Sequence, residues 1–93
     1  MIKSFRDSET EKLFKQELVK GIPKDIQKRA LIKLMLLDAA ELENDLESPP
    51  GNRLKRLKGD KKAYYSIRVN DQWRITFQFK NGHAFDVAVE DYH

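Results

Sequence analysis

The chain has 93 residues, no cysteine and a formal net charge of +3, which leaves room for one small domain (1–93) and excludes disulfides, thiolate metal sites and a thiol nucleophile. Its hydrophobic content of 40%, with nine aromatic residues, suffices for a core and argues against disorder. The start of the chain lacks the apolar segment of a signal peptide, and no stretch approaches a membrane span. We therefore expect a cytoplasmic protein that makes no membrane contact.

The first segments of the chain predict a strand and then a helix. Ile2 to Phe5 alternates apolar and polar residues and predicts a short first strand. The pattern Ser8-Glu9-Thr10-Glu11 is typical of a capping box and predicts a helix that begins at Ser8. Gly21-Ile22-Pro23 should end this helix. Its apolar stripe would consist of Leu13, Phe14 and Leu18.

A second helix is predicted from Pro23 to about Asp38, with the proline in its first turn. Four apolar residues share one face of it: Ile26, Ala30, Leu34 and Leu37. Four more widen that face almost all round the helix: Leu31, Ile32, Met35 and Leu36. A helix this apolar should pack between a sheet and another element. That element could be the first helix alone, or a partner protein.

After a break at 48–52, which holds two prolines and a glycine, the apolar period changes to two. Strands are predicted over 64–69, 73–79 and 84–90, with hairpin turns at Asn70-Asp71 and Asn81-Gly82. The predicted fold is therefore α+β, with helices covering the apolar face of an antiparallel meander.

The register of the first hairpin follows from its apolar residues. Keeping these on one side sets Ile67 opposite Ile75 and, on the other face, Arg68 opposite Arg74. Opposed like charges are unfavourable by up to about 1 kcal/mol, and a nearby anion or carboxylate would offset that cost. The same logic predicts that Arg74 lies near Ala88 in the second hairpin. The polar face is then either an open anion-binding surface or a satisfied Arg–Glu network, built from Ser66, Arg68, Arg74, Thr76, Gln78, Asp86 and Glu90.

Charge is unevenly distributed along the chain. Residues 38–47 hold five acids and no base, whereas residues 53–62 hold six cations and one acid. A cationic cluster of this density suggests a phosphate-backbone partner. The alternative is a solvated loop.

The chain ends with Asp91, Tyr92 and His93. Cleaving RNA without a metal requires a group that accepts the 2′-hydroxyl proton, a group that protonates the leaving 5′-oxygen, and fixed positive charge. An unperturbed histidine titrates near pH ~6.5, which suits proton transfer. We expect the preceding strand to hold His93 in place, the alternative being a frayed and inert terminus.

Four segments of the chain resemble the HigB branch of the RelE/ParE toxin superfamily, the killer proteins of type II toxin–antitoxin modules. They are MIKSF (1–5), PPGNRLKRLKGD (49–60), YYSIRVNDQWRITFQF (64–79) and VEDYH (89–93). The resemblance implies a RelE-like microbial ribonuclease fold: a short N-terminal strand and two helices packed on one face of an antiparallel-rich twisted sheet. It also implies a ribosome-dependent mRNA endonuclease that cuts in the ribosomal A site, by attack of the RNA's own 2′-hydroxyl and with no metal or other cofactor.

The resemblance carries site residues over by motif. Lys58 of the LKG segment and Arg74 of the WRI segment would hold the scissile phosphate. Asp91 and His93 would transfer protons, with Asp91 orienting His93, and Tyr92 would stack on a base or contact the phosphate. A surface that docks on ribosomal RNA would consist of Arg53, Lys55, Arg56, Lys61, Lys62 and Arg68.

The resemblance further implies a helix-turn-helix, HigA-like antitoxin as a partner. The toxin would contact operator DNA only indirectly, through this antitoxin. The apolar second helix is a candidate docking surface for it. Two other functions stay open: a ParE-like poison of DNA gyrase without nuclease chemistry, and an inactive member that acts only in antitoxin-dependent repression.

Overall fold

The structure, a computed structural model, describes residues 1–59 and 63–91. Its helices come first and its sheet follows, which confirms the predicted α+β order. The elements are α1 (Ser8–Phe14), α2 (Lys24–Ala39), two 3₁₀ turns (Glu43–Glu47 and Pro50–Asn52), β1 (Lys55–Arg56), β2 (Tyr65–Arg68), β3 (Trp73–Lys80) and β4 (His83–Asp91). None of the helices in these two ranges is long and apolar enough to cross a membrane.

The four strands form an antiparallel sheet in the order β1-β2-β3-β4. Alternation predicted β2, β3 and β4 but missed β1, because two exposed charged residues carry no periodic signal. Just beyond β1, the N–H of Leu57 donates to the carbonyl of Tyr64 at 2.9 Å. A short charged edge strand of this kind is one way in which natural sheets avoid pairing with other chains.

The predicted first strand exists as two isolated parallel bridges to β4, at Ile2 and Phe5. Lys3 N–H donates to the carbonyl of Ala84 at 2.7 Å, and Arg6 N–H donates to that of Val87 at 2.9 Å. The N-terminal segment therefore covers the β4 edge of the sheet and carries Arg6 to it.

Helix α1 begins at Ser8, as predicted. Its N-cap is Asp7, whose carboxylate accepts the N–H of Thr10 at 2.8 Å, so the Ser8 capping box is wrong. The side-chain hydroxyl of buried Thr10 accepts the N–H of Val89 at 3.0 Å, which ties the helix to β4. The helix ends at Phe14 and Leu18 is 85% exposed; the predicted stripe was wrong at Leu18 because the chain leaves the helix one turn earlier.

Helix α2 packs on the sheet as predicted. The four residues of its predicted face are buried, and they join a core that includes Ile67, Ile75 and Phe77. Its opposite side is not covered within the described chain, because Ile32 is 54% exposed and Met35 is 55% exposed. The first helix alone therefore does not cover that side, and the alternative of a partner protein stays open.

The segment between α2 and β1 is held by Asn52, which is fully buried. Its Nδ2 donates to the carbonyls of Leu46 and Ser48, each at 3.2 Å, and its Oδ1 accepts from Lys33 of α2. Burial, with a smaller contribution from Arg29, lowers the pKa of Lys33. Asn52 thus connects the 3₁₀ turns to the helix and fixes where β1 starts.

Candidate active site

The first hairpin has the predicted register. Ile67 lies opposite Ile75 in the core, and Arg68 lies opposite Arg74 on the other face. Arg68 is ion-paired with Asp71 in the turn between the strands. That carboxylate offsets part of the repulsion between the two guanidinium groups, as the like-charge pairing led us to expect.

The second hairpin does not have the predicted register. Arg74 pairs with Glu90, and Ala88 pairs with Thr76 instead. A β-bulge shifts the register between Thr76 and Gln78, where Asp86 adopts a φ of 53°. Because a bulge adds a residue to one strand, the cross-strand pairs on its two sides differ in register by one position.

The bulge also changes which residues face the core at the start of β4. Ala84 is fully buried opposite Phe79, whereas Phe85 pairs with Gln78 and is only partly buried. Simple alternation had grouped Phe85 with Val87 on the apolar face. The aromatic ring therefore belongs to the polar face of the sheet.

This polar face is not open, since Ser66 and Thr76 are each 1% exposed. The guanidinium of Arg6 lies over it, with Nη2 at 3.1 Å from Oε2 of Glu90 and in contact with the hydroxyl of Thr76. The Arg6 guanidinium carbon is also 5.6 Å from the centre of the Tyr64 ring. The alternative of an Arg–Glu network on this face is thus confirmed, with Arg6 as its arginine.

A second group of contacts extends the network toward the bulge. The hydroxyl of Tyr64 donates to Oδ2 of Asp86 at 3.0 Å, and Nε2 of Gln78 donates to the same oxygen at 3.5 Å. The hydrogen-bonded network of the polar face therefore lies over the middle of the sheet, and the Arg68–Arg74 pair lies at its end.

Among the proposed site residues, the sheet brings Arg74 and Asp91 to the same end. Arg74 is partly buried and shares its face with Arg68 and Glu90. Asp91 is exposed and pairs with Trp73 at the end of β4, so alternation assigns it to the other face. The two residues therefore lie at the same end of the sheet but on opposite faces, and Tyr92 and His93 lie outside the described residues.

Lys58 is exposed and follows β1 by two residues. The hydrogen bond from Leu57 to Tyr64 sets this segment beside the start of β2, whereas Arg74 lies beside its end. The sheet does not bring Lys58 next to Arg74, so a phosphate held by both would have to bridge toward the opposite end of the sheet.

The structure describes four of the six proposed RNA-docking residues, and these four lie toward the β1 edge of the sheet. Arg53, Lys55 and Arg56 are exposed and Arg68 is partly buried, while Lys61 and Lys62 lie outside the described residues. The guanidinium carbon of Arg56 is 5.5 Å from the centre of the Tyr65 ring, a cation–π geometry.

Comparison with solved structures identifies the fold. The toxin of a YoeB–YefM complex from Staphylococcus aureus superposes with a TM-score of 0.63 at 19% identity, over 100% of this chain and 98% of that one. A YafQ mutant from E. coli superposes with a TM-score of 0.56 at 18% identity, over 98% of this chain and 93% of that one. The chain therefore has the RelE-like toxin fold.

Sequence comparison identifies the family. The chain is 40% identical to "Endoribonuclease HigB" of Proteus vulgaris over 93 residues, which is all of both proteins. It is 45% identical to "Toxin HigB-1" of Vibrio cholerae over 69 residues, 74% of this chain and 73% of that one. The model of a family described as "RelE-like toxin of type II toxin-antitoxin system HigB" matches residues 3–93. This chain belongs to the HigB-like toxins.

Proposed function

We propose that this toxin is an endoribonuclease that cleaves mRNA in the ribosomal A site and so inhibits translation. The observation that carries the proposal is its similarity, over the whole chain, to a protein named as an endoribonuclease. The Arg68–Arg74 pair at the end of the sheet supports it, because a phosphodiester in the act of cleavage needs fixed positive charge nearby.

In the proposed reaction the 2′-oxygen attacks the adjacent phosphorus and the bond to the 5′-oxygen breaks, leaving a 2′,3′-cyclic phosphate and a 5′-hydroxyl. Arg74 stabilises the extra negative charge on the phosphorus-bound oxygens. Asp91 and His93 accept the 2′-hydroxyl proton and protonate the leaving oxygen. Tyr92 stacks on a neighbouring base, and Lys58 contacts the phosphate backbone.

The docking surface on ribosomal RNA is the basic segment around β1 together with Arg68. In the described part of this segment, Arg53, Lys55 and Arg56 are exposed at the edge strand of the sheet. Contacts of this kind release counterions and give salt-sensitive binding. The residues are Arg53, Lys55, Arg56, Lys61, Lys62 and Arg68.

The proposed protein partner is a helix-turn-helix antitoxin, as expected for a toxin of a type II module. One structural neighbour is part of a toxin–antitoxin complex, YoeB with YefM. The exposed apolar side of α2, which includes Ile32 and Met35, is the docking surface that we propose, since apolar patches of this kind mark protein contacts. Co-purification with the product of the adjoining reading frame tests the partner.

The test of the function is brief induction of the toxin in cells, with RNA and DNA followed in parallel. We expect cleaved mRNA within minutes and no DNA-damage response. The opposite result, DNA damage with intact mRNA, would support the ParE-like gyrase poison, which the similarity to an endoribonuclease does not favour. Purified toxin should cut mRNA on programmed ribosomes and leave free RNA uncut.

A further inference from the structure

Arg6 holds the carboxylate of Glu90 on the polar face of the sheet. Its Nη2 lies 3.1 Å from Oε2 of Glu90, and its Nη1 lies 3.4 Å from Oε1. The hydroxyl of Thr76 accepts from Arg6 and donates to Oε2 of the same carboxylate. Both carboxylate oxygens are therefore engaged by a two-pronged guanidinium, an arrangement that fixes orientation as well as charge.

Glu90 matters because it is the cross-strand partner of Arg74. Directly opposed residues of an antiparallel pair share a face, with Cβ atoms about 4.5–5.5 Å apart. A carboxylate left without Arg6 at this position would be attracted to the guanidinium of Arg74 and would repel a phosphodiester. Its side chain is only 26% exposed, so water screens that charge incompletely.

We infer that Arg6 is a positioning residue of the nuclease site, which occupies and neutralises Glu90 so that this carboxylate does not compete with the RNA phosphate for Arg74. The inference rests on the proposed function. In this role Arg6 acts through Glu90 and needs no contact with RNA, and its effect should disappear when the carboxylate is removed.

Arg6 also has structural contacts, through its backbone N–H to the carbonyl of Val87 and its side chain on the Tyr64 ring. Arg6→Met retains the backbone bond and most of the aliphatic chain, and it removes the guanidinium with its contact to the Tyr64 ring. Glu90→Gln retains the shape of Glu90 and removes its charge. An ion pair that is 36% exposed on its arginine side contributes little to stability, so both variants should fold.

Single-turnover cleavage on saturating programmed ribosomes tests the inference. We expect Arg6→Met to lower the rate by about 10–100-fold and Glu90→Gln to leave it within about threefold of wild type. The double variant should return to within about threefold of wild type. A double variant as slow as Arg6→Met would mean that Arg6 contacts RNA or only supports the fold, and would overturn the inference. Thr76→Val is the matched control, because it removes a hydroxyl from the network and leaves the ion pair. Its cleavage rate should therefore stay near that of the wild type.

A second measurement does not depend on cleavage. The Nε–H resonance of Arg74 in NMR spectra should shift in Arg6→Met, as Glu90 turns to it, and return toward its original position in the double variant. If the wild-type protein fails to cut mRNA while this resonance moves and returns, the proposed nuclease function is wrong and the role of Arg6 toward Glu90 stands. An unmoved resonance in Arg6→Met overturns the inference.

Discussion

Replacing Arg74 with alanine should lower the single-turnover rate of mRNA cleavage on programmed ribosomes by about 10²–10³-fold. Arg74 lies at the end of the sheet, on the same face as its two cross-strand partners, Arg68 and Glu90. In the proposed reaction, a preorganised cation in this position would stabilise the charge that develops on the phosphorane more than it stabilises the bound RNA. The loss should therefore appear in the rate at saturating ribosome concentration, with a smaller change in binding.

Three further variants make this experiment specific. Arg74→Lys keeps the charge but loses the planar fork that matches two phosphate oxygens, so its rate should lie between those of the wild type and Arg74→Ala. Arg29→Ala, which removes an exposed arginine from α2, should leave the rate unchanged.

His93→Ala should slow the reaction by about 10²–10⁴-fold if His93 transfers a proton. Wild-type rates for both Arg74→Ala and His93→Ala would contradict the assignment of the site.

The first hairpin was predictable from sequence because its two strands have strict alternation and a short turn. With Ile67 and Ile75 both required in the core, only one close register remained, and it determined the Arg68–Arg74 pairing. The turn supports the same register, since the side chain of Asn70 accepts the N–H of Trp73 at 2.7 Å.

The second hairpin was not predictable in the same way. Its turn at Asn81-Gly82 was recognised, and both turn residues have positive φ, 53° and 80°, as a tight hairpin turn requires. The bulge at Asp86 left no signal, because apolar residues alternate through it without interruption. The turn pairs Lys80 with His83, which alone would set Arg74 opposite Val89, and the bulge moves its partner one residue further, to Glu90.

Arg6 was missed for a different reason. It belongs to the short N-terminal segment that pairs in parallel with β4, at the far end of the sequence. No local sequence pattern indicates a contact between residues so far apart in the chain. Sequence reasoning placed a satisfied Arg–Glu pair on this face as an alternative but could not say which arginine would form it. The tertiary position of the N-terminal segment decided that question.

Leu34→Ala should destabilise the protein by about 2–5 kcal/mol, a large part of the stability of a domain of this size. Leu34 has no exposed surface and lies at the centre of the α2 face that packs on the sheet. Alanine would leave a cavity in the core cluster, which also includes Ile67 and Phe77. Thermal unfolding should show a fall in melting temperature of about 10–30 °C.

Met35→Ala is the matched control, one residue along the same helix. Because Met35 is 55% exposed, its truncation should change the free energy of unfolding by less than about 0.5 kcal/mol. Sequence analysis placed Leu34 on the main apolar face and Met35 among the residues that widen it, but could not tell whether Met35 would be buried as well. Equal losses at Leu34 and Met35 would mean that the outer side of the helix is also packed in the free protein. That result would remove Met35 from the surface that we propose for the antitoxin.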